Sequence, residues 1–438
     1  MLDEIARPAG TVAPAARPAR RAWLAGLAVL CGPGLMVMLA DTDAGSVVTA
    51  AQSGARYGYR LALWQLALIP VLYLVQEITA RLGLGTGKGH AALIRDRFGL
   101  GWALLSAGTL FVACVGALVT EFAGLAGVGA LAGVPRPVAV GLPAVALPVL
   151  VLTGRYRRVE VVGVAIGALE LLFIPAAALA HPSGGAALHG LAHPILPRND
   201  FVMLLAANAG AVIMPWMVFY QQGAVIDKRR TLQPVPGRPA AAAERRALRS
   251  ARLDTALGAV LTQLVMIAVL VATAATIGAA NPGASLASVG DIASGLTPFL
   301  GRTTAALLFG IGMLGAATVA ALVVCVAGAW GMAEVLGWRH SLNDTPRHAA
   351  GFYALAVAGT AAGAGLVLVA PDLVHLSVDV EVMNACLLPL VLGFLLVLER
   401  HALPPAMRMR GLRRAVTYLL TGAVIALGLY AAGSTLAG

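Results

Sequence analysis

Two carboxylates interrupt the first long apolar segment of the chain. The run WLAGLAVLCGPGLMVMLA leads directly into DTDAGS, which contains Asp41, Asp43 and Gly45. A charge near the centre of a bilayer is costly, so such residues face a cavity or a partner and are functional by default. Asp43 lies beside Gly45, where a helix can open. A hard oxygen ligand next to freed backbone carbonyls suits a metal cation.

The two aspartates are not equivalent. Asp41 and Asp43 lie about 200° apart around an intact helix, so they share a cavity only if the backbone unwinds between them. For Asp43 the alternative is a salt bridge to an intramembrane cation, but no Arg or Lys lies at a similar depth. For Asp41 the alternative, a vestibule acid outside the ion's contact shell, stays open.

A second interruption lies in IMPWM, residues 213–217. Pro215 removes a backbone donor and disfavours helix before it, which predicts a break there. Met214 beside it offers a thioether, a soft ligand that favours Mn or Fe over Mg or Ca. Ordinary core packing is the alternative interpretation of a lone methionine.

Further acids lie deep in predicted spans. Glu121 and Glu381 are candidates for proton relay or for assisting the ion, with Asn384 as a nearby accessory; interhelical hydrogen bonding is the alternative. The sequence contains no HExxH, GxSxG or Walker pattern, so it predicts neither an enzyme nor a bound cofactor.

The amino-acid composition indicates that these residues lie in a membrane protein. The 438-residue chain is 59% hydrophobic and only 12% charged, about half the charged fraction of a soluble protein. Apolar runs of spanning length predict an all-α polytopic membrane protein with about eleven helices. The runs lie near residues 22–56, 60–82, 101–132, 138–154, 157–181, 200–223, 253–279, 301–336, 347–370, 380–399 and 412–435.

The basic residues predict the orientation. With the N-terminus in the cytoplasm, 26 of the 31 Lys and Arg fall on the inner side, which is a strong positive-inside signal. The net charge of +11 therefore reflects the orientation of the chain in the membrane and does not indicate nucleic-acid binding. Eleven spans in a cell membrane then place the C-terminus outside.

The two interruptions open two halves of five helices each. Paired breaks at corresponding positions are typical of inverted-repeat transporters of the leucine-transporter-like fold, with the site at the breaks. The predicted organisation is a disordered cytoplasmic tail (1–21), a first repeat (22–181), an external loop (182–199), a second repeat (200–399) with a basic cytoplasmic loop (224–252), and an eleventh helix region (400–438).

The stretch from DTDAGS through YGYR to LGLGTGKGH resembles the first two helices of the natural resistance-associated macrophage protein (NRAMP) family of divalent metal transporters. There a D-P-G-N break precedes an aromatic-Gly-Tyr and an L-G-x-x-T-G-K loop, and a second motif, M-P-H-N, falls on residues 214–217. The resemblance implies a metal site whose ligands are Asp43, Ser46, Met214 and the carbonyls of Ala40 and Ala211.

Several positions depart from the family pattern. Trp216 replaces a histidine linked to proton movement, and Gly124 replaces the second acid of the third span, which puts proton coupling in doubt. Ser46 replaces an amide and Asp41 adds a charge, as in the family's magnesium-transporting branch. Met214, by contrast, favours a transition metal such as manganese or iron. The sequence leaves the identity of the metal open.

Together these features predict a secondary transporter that imports divalent cations by alternating access, with the metal ion and the lipid bilayer as partners and proton symport as an open question. An amino-acid or organic-cation carrier of the same fold is the alternative, although two aspartates would repel a substrate carboxylate. A non-transporting metal sensor in the membrane is a second alternative.

Overall fold

The computed structural model describes residues 32–437 except 154, 195–197, 232–239, 285, 287–288 and 371–372. The predicted disordered tail at 1–21 and the start of the first span lie outside the described residues. Within the described part every regular element is a helix.

The first half contains eight α-helices: α1 (Pro33–Asp41), α2 (Ala44–Tyr57), α3 (Ala62–Thr86), α4 (His90–Phe98), α5 (Leu100–Leu131), α6 (Arg136–Leu152), α7 (Tyr156–Gly167) and α8 (Phe173–Leu179). The remainder contains nine: α9 (Gly184–Ala192), α10 (Asn199–Val212), α11 (Pro215–Thr231), α12 (Ala240–Thr273), α13 (Val289–Leu300), α14 (Arg302–Leu336), α15 (Ala350–Val369), α16 (Leu373–His401) and α17 (Gly411–Ala437). Short 3₁₀ turns at Gly58–Leu61 and Ala168–Leu172 and a π turn at Ala274–Gly278 join or extend them.

Nine helices of the described part are long and apolar enough to cross a membrane. One of these nine, Ala44–Thr86, combines α2 and α3. The apolar helix α6 has only 17 residues and is not one of the nine. When α1 with α2 and α10 with α11 are each taken as one interrupted span, all eleven predicted segments have helical counterparts.

The scaffold is built around α5 and α14, which pack closely along each other. Gly328 and Gly331 of α14 lie directly against Cys114 and Leu110 of α5, and an added Cβ would crowd both contacts. Small residues of this kind let helices approach closely in a membrane, where the hydrophobic effect does not drive helices together.

The broken helices are held between this scaffold and α12. Gly258 of α12 lies against Met38 of α1, and Gly54 of α2 lies against the backbone of α12 at Leu270. On another side, Gly210 of α10 contacts the carbonyl of Glu381 in α16. These approaches fix both interruptions deep inside the bundle.

Candidate metal centre

The first interruption consists of Thr42 and Asp43, between α1 and α2. Asp43 has an extended backbone (φ −77°, ψ 176°) and caps α2: its Oδ1 accepts a hydrogen bond from the Ser46 N–H at 2.6 Å. This capping places the opening two residues before Gly45, which was predicted as the break and lies instead in the first turn of α2. A carboxylate at an N-cap both satisfies an orphan amide and complements the helix dipole.

The second interruption consists of Ile213 and Met214, between α10 and α11. Pro215 is the first residue of α11, a position where its missing N–H costs nothing. Each break thus spans two residues, as expected for related halves.

Each break frees one of the carbonyls named as a ligand. The helical partner of the Ala211 carbonyl would be Pro215, which has no N–H to donate. The partner of the Ala40 carbonyl would be Ala44, but the Ala44 N–H donates to Glu121 Oε2 at 3.1 Å. Both carbonyls therefore lack their helical partner, that of Ala211 because of the adjacent proline and that of Ala40 because Glu121 takes the amide.

A hydrogen bond joins the two breaks directly. The Ser46 hydroxyl donates to the Ala211 carbonyl at 2.8 Å, and both residues are fully buried. Asp43 and Met214 are fully buried as well. The structure therefore brings Ser46 and Ala211 from the two halves into contact, with Asp43 and Met214 buried beside them in the chain.

Trp216 contacts the predicted sulfur ligand. Its indole Nε1 donates to Met214 Sδ at 3.0 Å, and both side chains are fully buried. An indole N–H only donates and cannot exchange a proton as an imidazole does. At this position the chain carries a hydrogen-bond donor to the thioether in place of a titratable group.

Glu381 and Asn384 approach the first break from α16. An added Cβ at Gly45 would overlap Glu381 Oε1, so the glycine is what lets this carboxylate reach the first turn of α2. Asn384 Nδ2 donates to Glu381 Oε2 at 3.2 Å. Glu381 Oε1 and Asn384 Oδ1 are buried without a hydrogen-bond partner among the described residues.

Asp41 ends α1 and interacts electrostatically with Asp43 and Glu381. Its Oδ1 and the Oδ2 of Asp43 are buried without a partner among the described residues. Within that part of the chain, five acids that are at most 1% exposed take part in no ion pair: Asp41, Asp43, Glu121, Glu170 and Glu381. Unpaired buried carboxylates are costly unless a proton or a cation compensates them.

The described residues contain no group of three or more His, Cys, Asp or Glu side chains arranged to hold a metal. A metal at the breaks would therefore need mixed donors: one carboxylate with carbonyl, hydroxyl and thioether groups.

One polar residue of the first break was missing from the prediction. The hydroxyl oxygens of Thr42 and Thr262 are 2.5 Å apart, which ties the break to α12. The only sequence signal for Thr42 is its place between the two aspartates, because Thr262 lies 220 residues away.

The comparisons with known proteins agree with this architecture. Residues 34–433 match the family described as natural resistance-associated macrophage protein-like. The divalent metal cation transporter MntH of Yersinia pestis (strain Pestoides F) is 32% identical over 321 residues, covering 71% of this chain and 73% of that protein.

Two solved structures establish the fold. The manganese transporter of Eremococcus coleocola, in complex with an aromatic bis-isothiourea substituted compound, has a TM-score of 0.73 at 20% identity and covers 97% of this chain and 90% of that chain. Mhp1, a nucleobase-cation-symport-1 family transporter in a closed conformation, has a TM-score of 0.55 at 16% identity and covers 92% of this chain and 90% of that chain. The prediction of an all-α, leucine-transporter-like fold with broken first and sixth spans is confirmed. The family match spans almost the whole described chain, and so this multi-pass membrane protein belongs to the natural resistance-associated macrophage protein-like family.

Proposed function

We propose that the chain imports divalent metal cations by alternating access, with the ion held between the two helix breaks. The observation that carries the proposal is the Ser46–Ala211 hydrogen bond of 2.8 Å, because it joins the two breaks at the positions of two candidate ligands. The named functions of the relatives from Yersinia pestis and Eremococcus coleocola support the same class of substrate.

Asp43 is the principal anionic ligand in this proposal. One of its oxygens caps α2, and the other is buried without a partner in the described part of the chain. The carbonyls of Ala40 and Ala211 and the hydroxyl of Ser46 supply neutral oxygens. Glu381 and Asp41 add negative charge beside the break, which favours a dication over a neutral or anionic substrate.

The choice of metal depends on two opposing features. Met214 and the manganese transporter likeness favour a transition metal such as Mn²⁺ or Fe²⁺, which accepts a thioether more readily than Mg²⁺ does. The added Asp41 and the short Ser46 side chain favour a harder, more hydrated ion such as Mg²⁺. Competition between the two classes of ion is the measurement that decides.

We further propose that uptake proceeds without obligatory proton symport. Trp216 cannot carry a proton, and Glu121 is engaged as a hydrogen-bond acceptor for the Ala44 amide. At Gly124 an added Cβ would lie 2.5 Å from the Ala44 methyl. Ala44, next to the first break, therefore leaves no room for an acidic side chain at position 124.

The orientation in the membrane follows from charge. We propose a cytoplasmic N-terminus and an external C-terminus, with the five-helix repeats and loops bounded as the sequence predicts. The basic segment 224–252 then faces the cytoplasm, although α11 and α12 extend into it as helices at residues 224–231 and 240–252. In the predicted external loop at 182–199, α9 forms at Gly184–Ala192.

The test is uptake of Mn²⁺ into reconstituted vesicles, with Mg²⁺ as competitor and a pH-sensitive dye in the lumen. We expect Asp43→Ala to reduce uptake to background. Asp96→Asn, which removes an exposed carboxylate paired with Lys88 at 2.6 Å, is the matched control and should transport normally. Normal uptake by Asp43→Ala, or no entry of either ion in the unaltered protein, would contradict the proposal. Lumenal acidification in proportion to uptake would contradict the absence of proton symport.

A further inference from the structure

A basic groove lies on the outer surface of the bundle, far from the helix breaks, where α16 ends and α17 begins. It encloses about 270 Å³ and is lined by Arg400 of α16 and by Gly411, Arg414, Ala415 and Tyr418 of α17. The four α17 residues follow the i, i+3, i+4, i+7 spacing of one helix face. Gly411 and Ala415 are small residues that leave room for the groove between the longer side chains of Arg414 and Tyr418.

The two arginines of the groove lack the hydrogen-bonded partners that the other arginines near the α16–α17 turn have. Arg413 pairs with Glu77 at 2.5 Å, whereas Arg408 and Arg410 donate to carbonyls of the 402–410 turn. Among the described residues, Arg400 and Arg414 have no ion-pair or hydrogen-bond partner. Two unpaired guanidinium groups facing one depression form a site for an anion, and their fork geometry matches phosphate oxygens.

The apolar surface beside the groove indicates what kind of anion fits. Leu412, Val416 and Leu419 form the adjacent stripe of α17 and are 80%, 39% and 73% exposed. Because α17 is long and apolar enough to span a membrane, the groove and this stripe, which share its first two turns, both lie where lipid headgroups meet the acyl chains. Tyr418 has the amphipathic character that is typical of such an interfacial position.

We infer that this groove binds the phosphate of an anionic phospholipid, with an acyl chain lying along the Leu412–Leu419 stripe. Charge complementarity selects a headgroup with net negative charge, since a choline group would place a cation beside the arginines. In the proposed orientation the groove faces the cytoplasmic leaflet, where basic pockets between spanning helices bind such lipids. The proposal does not require metal transport, so the two proposals can fail independently.

The test is native mass spectrometry of the full-length protein in detergent, titrated with phosphatidylglycerol. We expect one lipid to bind in preference to phosphatidylcholine. Arg400→Gln/Arg414→Gln should weaken binding roughly 30-fold, since each basic side chain near a membrane surface contributes about one factor of five. The matched control, Arg339→Gln/Arg347→Gln, removes two exposed charges from the α14–α15 turn and should change affinity less than about threefold.

Two further variants separate a built groove from general charge attraction. Ala415→Leu narrows the groove without changing charge and should also abolish the preference, and Arg400→Lys/Arg414→Lys, which keeps the charge but loses the fork geometry, should weaken it. Inorganic phosphate at millimolar concentration should not displace the lipid. Unchanged binding in the double glutamine variant or in Ala415→Leu would overturn the proposal, and displacement by inorganic phosphate would overturn the assignment to a lipid.

Discussion

Replacing Glu121 distinguishes a capping role from a role in carrying charge. This side chain is fully buried, and its Oε2 accepts a hydrogen bond from the Ala44 N–H at 3.1 Å. Its Oε1 accepts one from the Thr120 hydroxyl at 3.2 Å. Asp43 and Glu121 therefore satisfy two of the four orphan amides at the start of α2, and the position of Asp43 depends on that first turn.

The two substitutions at this position have different expected costs. Glu121→Ala leaves the Ala44 N–H unpaired in the core, which costs about 2 kcal/mol. Glu121→Gln keeps an acceptor oxygen and loses only the charge assistance, which is about 1 kcal/mol. If the loss falls on the conformation that binds the ion, the affinity for Mn²⁺ drops roughly 30-fold for alanine and roughly 5-fold for glutamine.

The assay is isothermal titration calorimetry with Mn²⁺ on the purified protein, paired with uptake into vesicles. Thr120→Val, which removes the neighbouring hydroxyl but keeps the carboxylate, is the control and should bind Mn²⁺ nearly as the unaltered protein does. An affinity loss in Glu121→Gln as large as that in Glu121→Ala would refute the reasoning, because the charge or the proton of Glu121 would then be what matters.

Three other substitutions test separate parts of the structure. Met214→Ala should lower Mn²⁺ uptake at least about tenfold and leave Mg²⁺ uptake nearly unchanged if the sulfur is a ligand, and equal losses in competition assays would exclude that role. Gly45→Ala should abolish uptake and lower thermal stability because its Cβ overlaps Glu381 Oε1; a second substitution, Glu381→Ala, should restore stability but not uptake. Burial in the short helix α4 lowers the pKa of His90 to about 4. Its folded form therefore stays neutral while the unfolded chain takes up a proton below about pH 6.5. Between pH 7 and pH 5 His90 alone should cost about 2 kcal/mol of stability, which is measured as the change, over that range, in the difference in unfolding free energy between the unaltered protein and His90→Gln.

The sequence predicted which two spans are interrupted because both breaks have local causes, although the first opens at Thr42–Asp43 and not at Gly45. Pro215 removes a donor, and an aspartate followed by a glycine disfavours continuing helix. The predicted helix type and the number of segments also agree with the structure, since long apolar runs in a membrane leave few alternatives to helix.

The partners of the break residues could not be predicted, because they come from distant segments. Glu121 reaches Ala44 across 77 residues, and Ser46 reaches Ala211 across 165. Several acids lie at a similar predicted depth in the sequence, and only the packing of α5 and α16 against α2 decides which of them contact the break.

The short helix α4 also depends on a partner from a distant segment, which the sequence could not predict. It has nine residues, a length at which an isolated helix is marginal in water. Glu334 of α14 accepts hydrogen bonds from the Ala91 and Ala92 amides at 3.0 and 3.3 Å and so caps α4 from outside its own segment. Gly89 is what allows this carboxylate to approach, because an added Cβ there would overlap it.

The hydrogen bonds at the breaks have a consequence for how an ion binds. In this conformation the Ser46 hydroxyl donates a hydrogen bond to the Ala211 carbonyl, and Met214 Sδ accepts one from the Trp216 indole. These three candidate ligand groups are therefore already hydrogen-bonded before an ion arrives. Among the side chains of the proposed site, Asp43 Oδ2 is the atom without a partner in the described part of the chain, and we expect it to make the first contact with an arriving cation.

Recruiting the remaining ligands then breaks two hydrogen bonds, each of which contributes about 1 kcal/mol. Relative to a preformed site, the apparent affinity falls roughly 30-fold. Of these two bonds, the Ser46–Ala211 bond links the breaks in the ion-free protein, as a carrier requires if it is to return empty, whereas the Trp216–Met214 bond lies within the second break. Trp216→Phe removes one of them without touching Asp43, and it should therefore raise the affinity for Mn²⁺ roughly fivefold in calorimetry. A lower affinity in that variant would mean that the indole holds the thioether in a binding geometry and does not compete with the ion.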